Sequence, residues 1–215
     1  MAEAAGFRRR LPRLLLLLLL LLLSTVEAAR HTSNTSTLYV IRHGEKKWAL
    51  GCLSARGLAR ARALPGIFDG VDGVASPKHA TFDRPAYIYA NLYADPIDCE
   101  RCVQTVAPLA AALGLPLNQS YGYPKKLGGN ALAAQVMLER TLGRPGTVVL
   151  AAWEHINIQF LVEAMGVPRA SVPSWPGSDY DTVYVVTVDA HAKLLRFSVA
   201  HENYTYTPGG ANTTI

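Results

Sequence analysis

Thr37-Leu38-Tyr39-Val40-Ile41-Arg42-His43-Gly44-Glu45 is the stretch on which the fold turns. Its first five residues are β-branched, aromatic or aliphatic, a compact run suited to a buried strand. Arg42 and His43 then end the apolar run abruptly, and Gly44 lets backbone approach a ligand closely. The mostly polar segment from Ala29 to Ser36 leads into the strand, and a loop from Gly44 to Leu53 leaves it. Ser54 reads as the N-cap of a helix to about Leu64, stopped by Pro65-Gly66.

Further along, strand and helix signals alternate. Ala86 to Ala90 reads as a second strand, and about Asp98 to Leu113 as a helix closed by Gly114 at C′. A helix is expected from about Asn130 to Leu142. The most strand-like run, Thr147 to Ala151, leads into a helix from Ile156 to Met165, closed by Gly166. Thr182–Val188 and Leu194–Val199, with a turn near Asp189 and Ala190, read as a hairpin. The expected fold is α/β: a three-layer, mostly parallel central sheet flanked by helices, with an antiparallel C-terminal hairpin.

Upstream, Arg8, Arg9, Arg10 and Arg13 precede an unbroken leucine run from Leu14 to Leu23, and Val26-Glu27-Ala28 offers a cleavage pattern. Residues 1–29 therefore read as a signal peptide, the apolar run being too short for a retained anchor. Residues 30–215 then form one domain with a sizeable core, with no stable membrane insertion once the leader is cut. Four N-x-S/T triplets, at Asn34, Asn118, Asn203 and Asn212, agree with a glycoprotein that is secreted or held in the secretory-pathway lumen. Part of the formal net charge of +5 belongs to the leader's own arginines. The remainder is too mild to imply a nucleic-acid partner. Three cysteines, Cys52, Cys99 and Cys102, leave at least one free or bonded between molecules. Cys99-Glu100-Arg101-Cys102 has redox spacing but lacks the short strand link of redox folds, so a structural disulfide is expected, in any of the three pairings.

In open α/β sheets ligands bind beyond the carboxyl ends of the strands. His43 follows the first strand, and His155 follows the Thr147 run within Trp153-Glu154-His155. Arg42 adjoins His43, and Arg101 lies near the start of the helix after the second strand. Arginine forks suit phosphate oxygens, helix N-termini favour anions, and neutral imidazole is a competent nucleophile. The pattern points to phosphoryl chemistry without a metal or cofactor, on a small phosphorylated substrate. Lys46-Lys47 and Lys125-Lys126 read as cleft or surface pairs. Trp153 and Trp175 read as packing residues, and Arg60 and Arg62 as surface or supporting groups.

Arg42-His43-Gly44-Glu45 resembles the signature of the histidine phosphatase superfamily, also called the phosphoglycerate mutase-like fold. Leu53-Ser54-Ala55-Arg56-Gly57 with Arg60-Ala61 is similar to its first helix, and Arg101-Cys102-Val103-Gln104-Thr105 looks like its Arg-x-x-Gln-Thr helix. Trp153-Glu154-His155-Ile156, Ser174-Trp175-Pro176 and Asp179-Tyr180-Asp181 resemble the second-histidine region of a short subgroup. The likeness spans Leu38 to Val188 with its blocks in order. It implies phosphomonoester hydrolysis through a phosphohistidine on His43, with Arg42, Arg101 and His155 clamping the phosphoryl group. A mutase-like phosphotransferase and a non-catalytic phosphate-binding module are the alternatives. Many members carry a proton-donating glutamate after the third strand, or an aspartate directly after the second histidine. Here Tyr121 to Ala134 holds no acid and Ile156 follows His155, which leaves Glu154, then Glu45, as the candidate acid.

Overall fold

The computed structural model describes residues 34–47, 51–70, 80–93, 99–122 and 129–206. The signal-peptide reading, the Asn212 triplet and Lys125-Lys126 lie outside them. Six strands, β1 Thr35–Arg42, β2 Tyr87–Ala90, β3 Leu117–Asn118, β4 Val148–Trp153, β5 Thr182–Asp189 and β6 Leu194–His201, form one sheet in the order β3-β2-β4-β1-β5-β6. Four strands, β3, β2, β4 and β1, run parallel, whereas β5 and β6 are antiparallel additions beside β1. Helices α1 Ala55–Ile67, α2 Arg101–Leu113, α3 Gly129–Glu139 and α4 His155–Ala164 cover the sheet.

Side chains alternate across a strand, and β1 shows what that does here. Leu38 and Val40 pack with Ala133 and Met137 of α3 and Leu161 of α4. Tyr39 and Ile41 enter the opposite core with Leu64 of α1 and Val106 and Leu109 of α2. Both faces of β1 are thus buried, as a near-continuous apolar strand demands. The two cores make three layers, and the expected α/β sandwich with its hairpin is present.

Boundaries depart from expectation where tertiary packing decides. α1 does not stop at Pro65 but carries it inside and runs to Ile67. An interior proline costs about 3 kcal/mol. Leu64, Ile67 and Phe68 are fully buried around it, each worth roughly 1.5–3 kcal/mol, so burial prevails. α2 begins at Arg101 rather than Asp98 and closes as expected on Gly114, whose left-handed φ of 63° lets its N–H reach Ala110 O and Ala111 O. α3 ends at Glu139, three residues early, because the Thr141 hydroxyl donates to Leu138 O and starts a turn. β3, a two-residue strand paired with Ile88 and Tyr89, carries no periodicity in so short a run and was not expected. Among the described residues, no helix is long and apolar enough to cross a membrane.

Candidate active site

The parallel register of β1 and β4 decides the geometry. Arg42 lies opposite Trp153, and the His43 N–H donates to Trp153 O at 3.1 Å. The residues after both strands therefore emerge side by side, which the sequence places far apart. Ligand atoms of His43, Glu154 and His155 all fall within 4.8 Å of one another.

His43 is fully buried. Its Nδ1 lies 2.7 Å from Gly44 O, so Nδ1 carries the proton and Nε2 is left with a lone pair. Arg101 Nε donates to that lone pair at 3.3 Å. Burial first, then the positive charges of Arg101, Arg42 and Lys46, lower the His43 pKa to about 3, against the raising effect of the Gly44 carbonyl. The ring is accordingly neutral in ordinary buffers, with its nucleophilic nitrogen aimed at the cationic pocket.

Arg42 is held by the loop between α4 and β5. Its Nη1 donates to Gly177 O and Asp179 O, both at 2.8 Å, and its Nη2 to the Tyr180 hydroxyl at 3.1 Å. The guanidinium also lies 3.8 Å over the Tyr180 ring, and that ring meets His43 edge-on at 6.2 Å. Among the described residues, no acceptor meets the buried Nε of Arg42. A buried donor of this kind costs on the order of 1–3 kcal/mol, and an anion's oxygen would satisfy it.

Arg101 begins α2, where helix-terminal N–H groups favour anions, and its guanidinium lies 4.2 Å over Tyr93. The same helix ties down the loop after β1. Gly44 N donates to Thr105 Oγ1 at 2.8 Å and Leu53 N to Gln104 Oε1 at 3.0 Å. A disulfide between Cys52 and Cys99 fastens that loop to the segment ahead of Arg101. The bond leaves the C-x-x-C pair split, with Cys102 a free, buried thiol. Gly44 and Gly57 allow the loop to lie on α1, since a Cβ on Gly57 would sit 2.3 Å from Glu45 O.

His155 and Glu154 form a unit at the start of α4, which begins one residue earlier than expected because Glu154 is its N-cap. Glu154 Oε2 accepts from Ile156 N at 3.1 Å, and Oε1 lies 3.1 Å from His155 Nδ1. Burial, then Arg42, lowers the His155 pKa, and Glu154 opposes them. By distance alone His43, Glu154 and His155 could hold a divalent ion. Two guanidiniums beside the same atoms make the pocket suited to an anion instead. Glu45 points elsewhere, to Arg56 at 2.8 Å.

Tyr180 and Thr105 touch the site residues; both lie in blocks quoted for their resemblance, Asp179-Tyr180-Asp181 and Arg101 to Thr105, which gave neither of them a role. Arg60, read only as a surface or supporting group, is 2 % exposed and paired with the fully buried Glu202. Its spacing on α1 marked it as a helix residue, and nothing local revealed the distant acid. Trp153 is fully buried, as expected of a packing residue, and donates to Asn130. Trp175 packs on Tyr184 and donates to Asp179 O, behind Arg42.

No family model matches the chain, and no curated protein matches it in sequence. Solved structures do. The chain is similar to a phosphoglycerate mutase from Plasmodium falciparum, at 12 % identity and TM-score 0.50, over 84 % of this chain and 99 % of that one. It is also similar to a mycobacterial glucosyl-3-phosphoglycerate phosphatase, at 14 % identity and TM-score 0.51, over 80 % and 100 % of the two chains. At such identities the likeness concerns the fold, which is the phosphoglycerate mutase-like one.

Proposed function

We propose that this chain, with its phosphoglycerate mutase-like fold, hydrolyses phosphomonoesters through a phosphohistidine on His43. The observation that carries the reading is the desolvated, neutral His43, whose Nε2 lone pair is the atom Arg101 points at. In the first step that lone pair bonds to phosphorus while the bond to the leaving oxygen breaks. Arg42, Arg101 and His155 hold the non-bridging oxygens, and the arriving negative charge favours the imidazolium form of His155. Glu154 supplies the leaving oxygen's proton. In the second step water bonds to phosphorus, its proton passes to Glu154, and the N–P electron pair returns to Nε2. Inorganic phosphate is the product. The two solved structures described above are named for phosphoglycerate-type compounds, which supports a small phosphorylated substrate as the class.

A secretory location belongs to the same proposal. The leader-like N-terminus supports it, as does the Cys52–Cys99 disulfide, because such bonds persist in oxidising compartments. Asn34 and Asn203 are exposed, as glycan acceptors must be. Expression of the full chain in a secretory host should give a protein whose mass falls on glycosidase treatment.

The deciding experiment is brief exposure to a labelled aryl phosphate. Protein-bound label that survives alkali, is lost in acid and is absent from His43→Ala is expected, together with phosphate release. A folded protein that neither labels nor releases phosphate, yet binds inorganic phosphate, would be a binding module. Transfer of the label to an added hydroxy-acid acceptor in place of water would make the chain a mutase-like phosphotransferase.

A further inference from the structure

Beneath the site lies a buried ion pair that neither the clamp nor the nucleophile accounts for. Arg60 of α1 donates through Nε to Glu202 Oε2 at 2.7 Å and through Nη2 to Oε1 at 2.6 Å. Both side chains are almost wholly removed from water, at 2 % and 0 % exposure. Burial lowers the Arg60 pKa, but Glu202 overcomes it and holds the guanidinium charged, above its ordinary value. Such a pair is costly to bury and is often replaceable by apolar residues without loss of stability. Stability alone is therefore a weak reason for it.

The third bond of Arg60 supplies a better one. Its Nη1 donates to the backbone carbonyl of Arg42 at 2.9 Å. Successive backbone groups of a strand face opposite neighbours. His43 N–H bonds to β4, so the Arg42 carbonyl faces the β5 side. The β1–β5 ladder ends one pair earlier, at Ile41–Val183. Arg60 thus supplies the hydrogen bond that the sheet stops supplying, at the peptide joining Arg42 to His43. Glu202 is itself anchored from both sides: its N–H donates to Asp181 O at 2.8 Å, and its carbonyl accepts from Ala80 N at 2.6 Å.

We infer that Arg60 and Glu202 are positioning residues for phosphoryl transfer: the fork of Arg60, squared by Glu202, fixes the single peptide plane from which both the phosphate-holding Arg42 and the nucleophilic His43 project. The inference rests on the reading that Arg42 and His43 meet phosphate. One misplaced plane displaces both groups together, so binding and chemistry fall together.

The test is the double variant R60M/E202M, which keeps volume and removes both charges. It should unfold thermally at or near the wild-type temperature. Its affinity for inorganic phosphate, measured by calorimetry, should drop at least tenfold, and its rate of His43 phosphorylation at least tenfold. A folded double variant with wild-type phosphate affinity and labelling rate overturns the inference. If the double variant does not fold, R60K decides, because one ammonium cannot span both Glu202 oxygens and the Arg42 carbonyl. A folded R60K should show the same paired losses, and wild-type values in it overturn the inference. A wild-type protein that binds phosphate but never labels would sink the hydrolysis reading alone, and the phosphate affinities would still decide the role of Arg60.

Discussion

His43 is neutral because it is buried among cations, and this has two consequences for pH. A nucleophile with a pKa near 3 stays competent in mild acid, so His43 itself should impose no acid limb on labelling between pH 7 and about pH 5. An acid limb near pH 6.5 beyond the one set by the ester's own second ionisation would contradict it. For stability, the unfolded ring binds a proton below its ordinary pKa near 6.5 while the folded ring does not until about 3. The unfolded state therefore gains protons first, and stability is lost as pH falls from 6.5 towards 3. His43→Asn should show a shallower loss over that window in chemical denaturation, since the other titrating groups are common to both proteins. Glu154 lies within hydrogen-bond reach of His155 and of the helix terminus. In Glu154→Gln, turnover of an alkyl phosphate should fall about 10²–10⁴-fold while an aryl phosphate changes little. Equal turnover of the alkyl ester by variant and wild type would remove Glu154 from the reaction. At this scale the sequence was informative wherever a residue type is chemically rare: two histidines and two arginines at strand and helix ends could be named in advance. Tyr180 lay in a block marked by resemblance alone and had no role there, because a tyrosine in a loop has many ordinary uses and only the fold lays it over Arg42.

Elements were legible where burial and local code agree. β1 and β4 are apolar on both faces, Ser54 and Gly114 mark helix ends, and the two-strand finish has a clear turn. Where the deciding partner is distant in sequence, boundaries slipped: Pro65 stays in α1 because Leu64 and Ile67 are anchored in the core. The disulfide pairing was equally unreadable, since Cys52 meets Cys99 only once the loop after β1 lies on the start of α2. That loop is tied at four points, to Thr105, Gln104, Cys99 and α1. Gly57→Ala would press a methyl group into Glu45 O, and we expect it to destabilise the protein by several kcal/mol, read by denaturant titration. Substitution of Cys52 and Cys99 by serine releases a closure of 47 residues and should cost about 4 kcal/mol. Cys102 behaves differently. Burial, against its bond with Tyr93 and the charge of Arg101, pushes its thiol up to about 12, so iodoacetamide should leave native protein unlabelled at pH 8 and label it once on unfolding.

Across the whole molecule, the sheet concentrates order at its centre. β1 is flanked by β4 and β5, and both its faces are covered, whereas β3 and β6 are edges. Amides of Val40 and Ile41 should exchange with solvent only through global unfolding, while those of β6 exchange through smaller openings. Equal protection across the sheet in native-state exchange would contradict this picture. The layer architecture was legible as an alternation of strand and helix signals. The strand order was not, because nothing in the composition of β1 says that its neighbours are the fourth and fifth strands. That order has a consequence for synthesis. β1 leaves the ribosome first among the strands, yet Val40 pairs with Ala151 and Tyr184, and Glu202, which holds the Arg60 that bonds the Arg42 carbonyl, comes later still. Pairing between segments so far apart slows folding and leaves an apolar strand waiting without partners. The nascent chain should therefore depend on holding chaperones and acquire activity only after nearly all of it has been made.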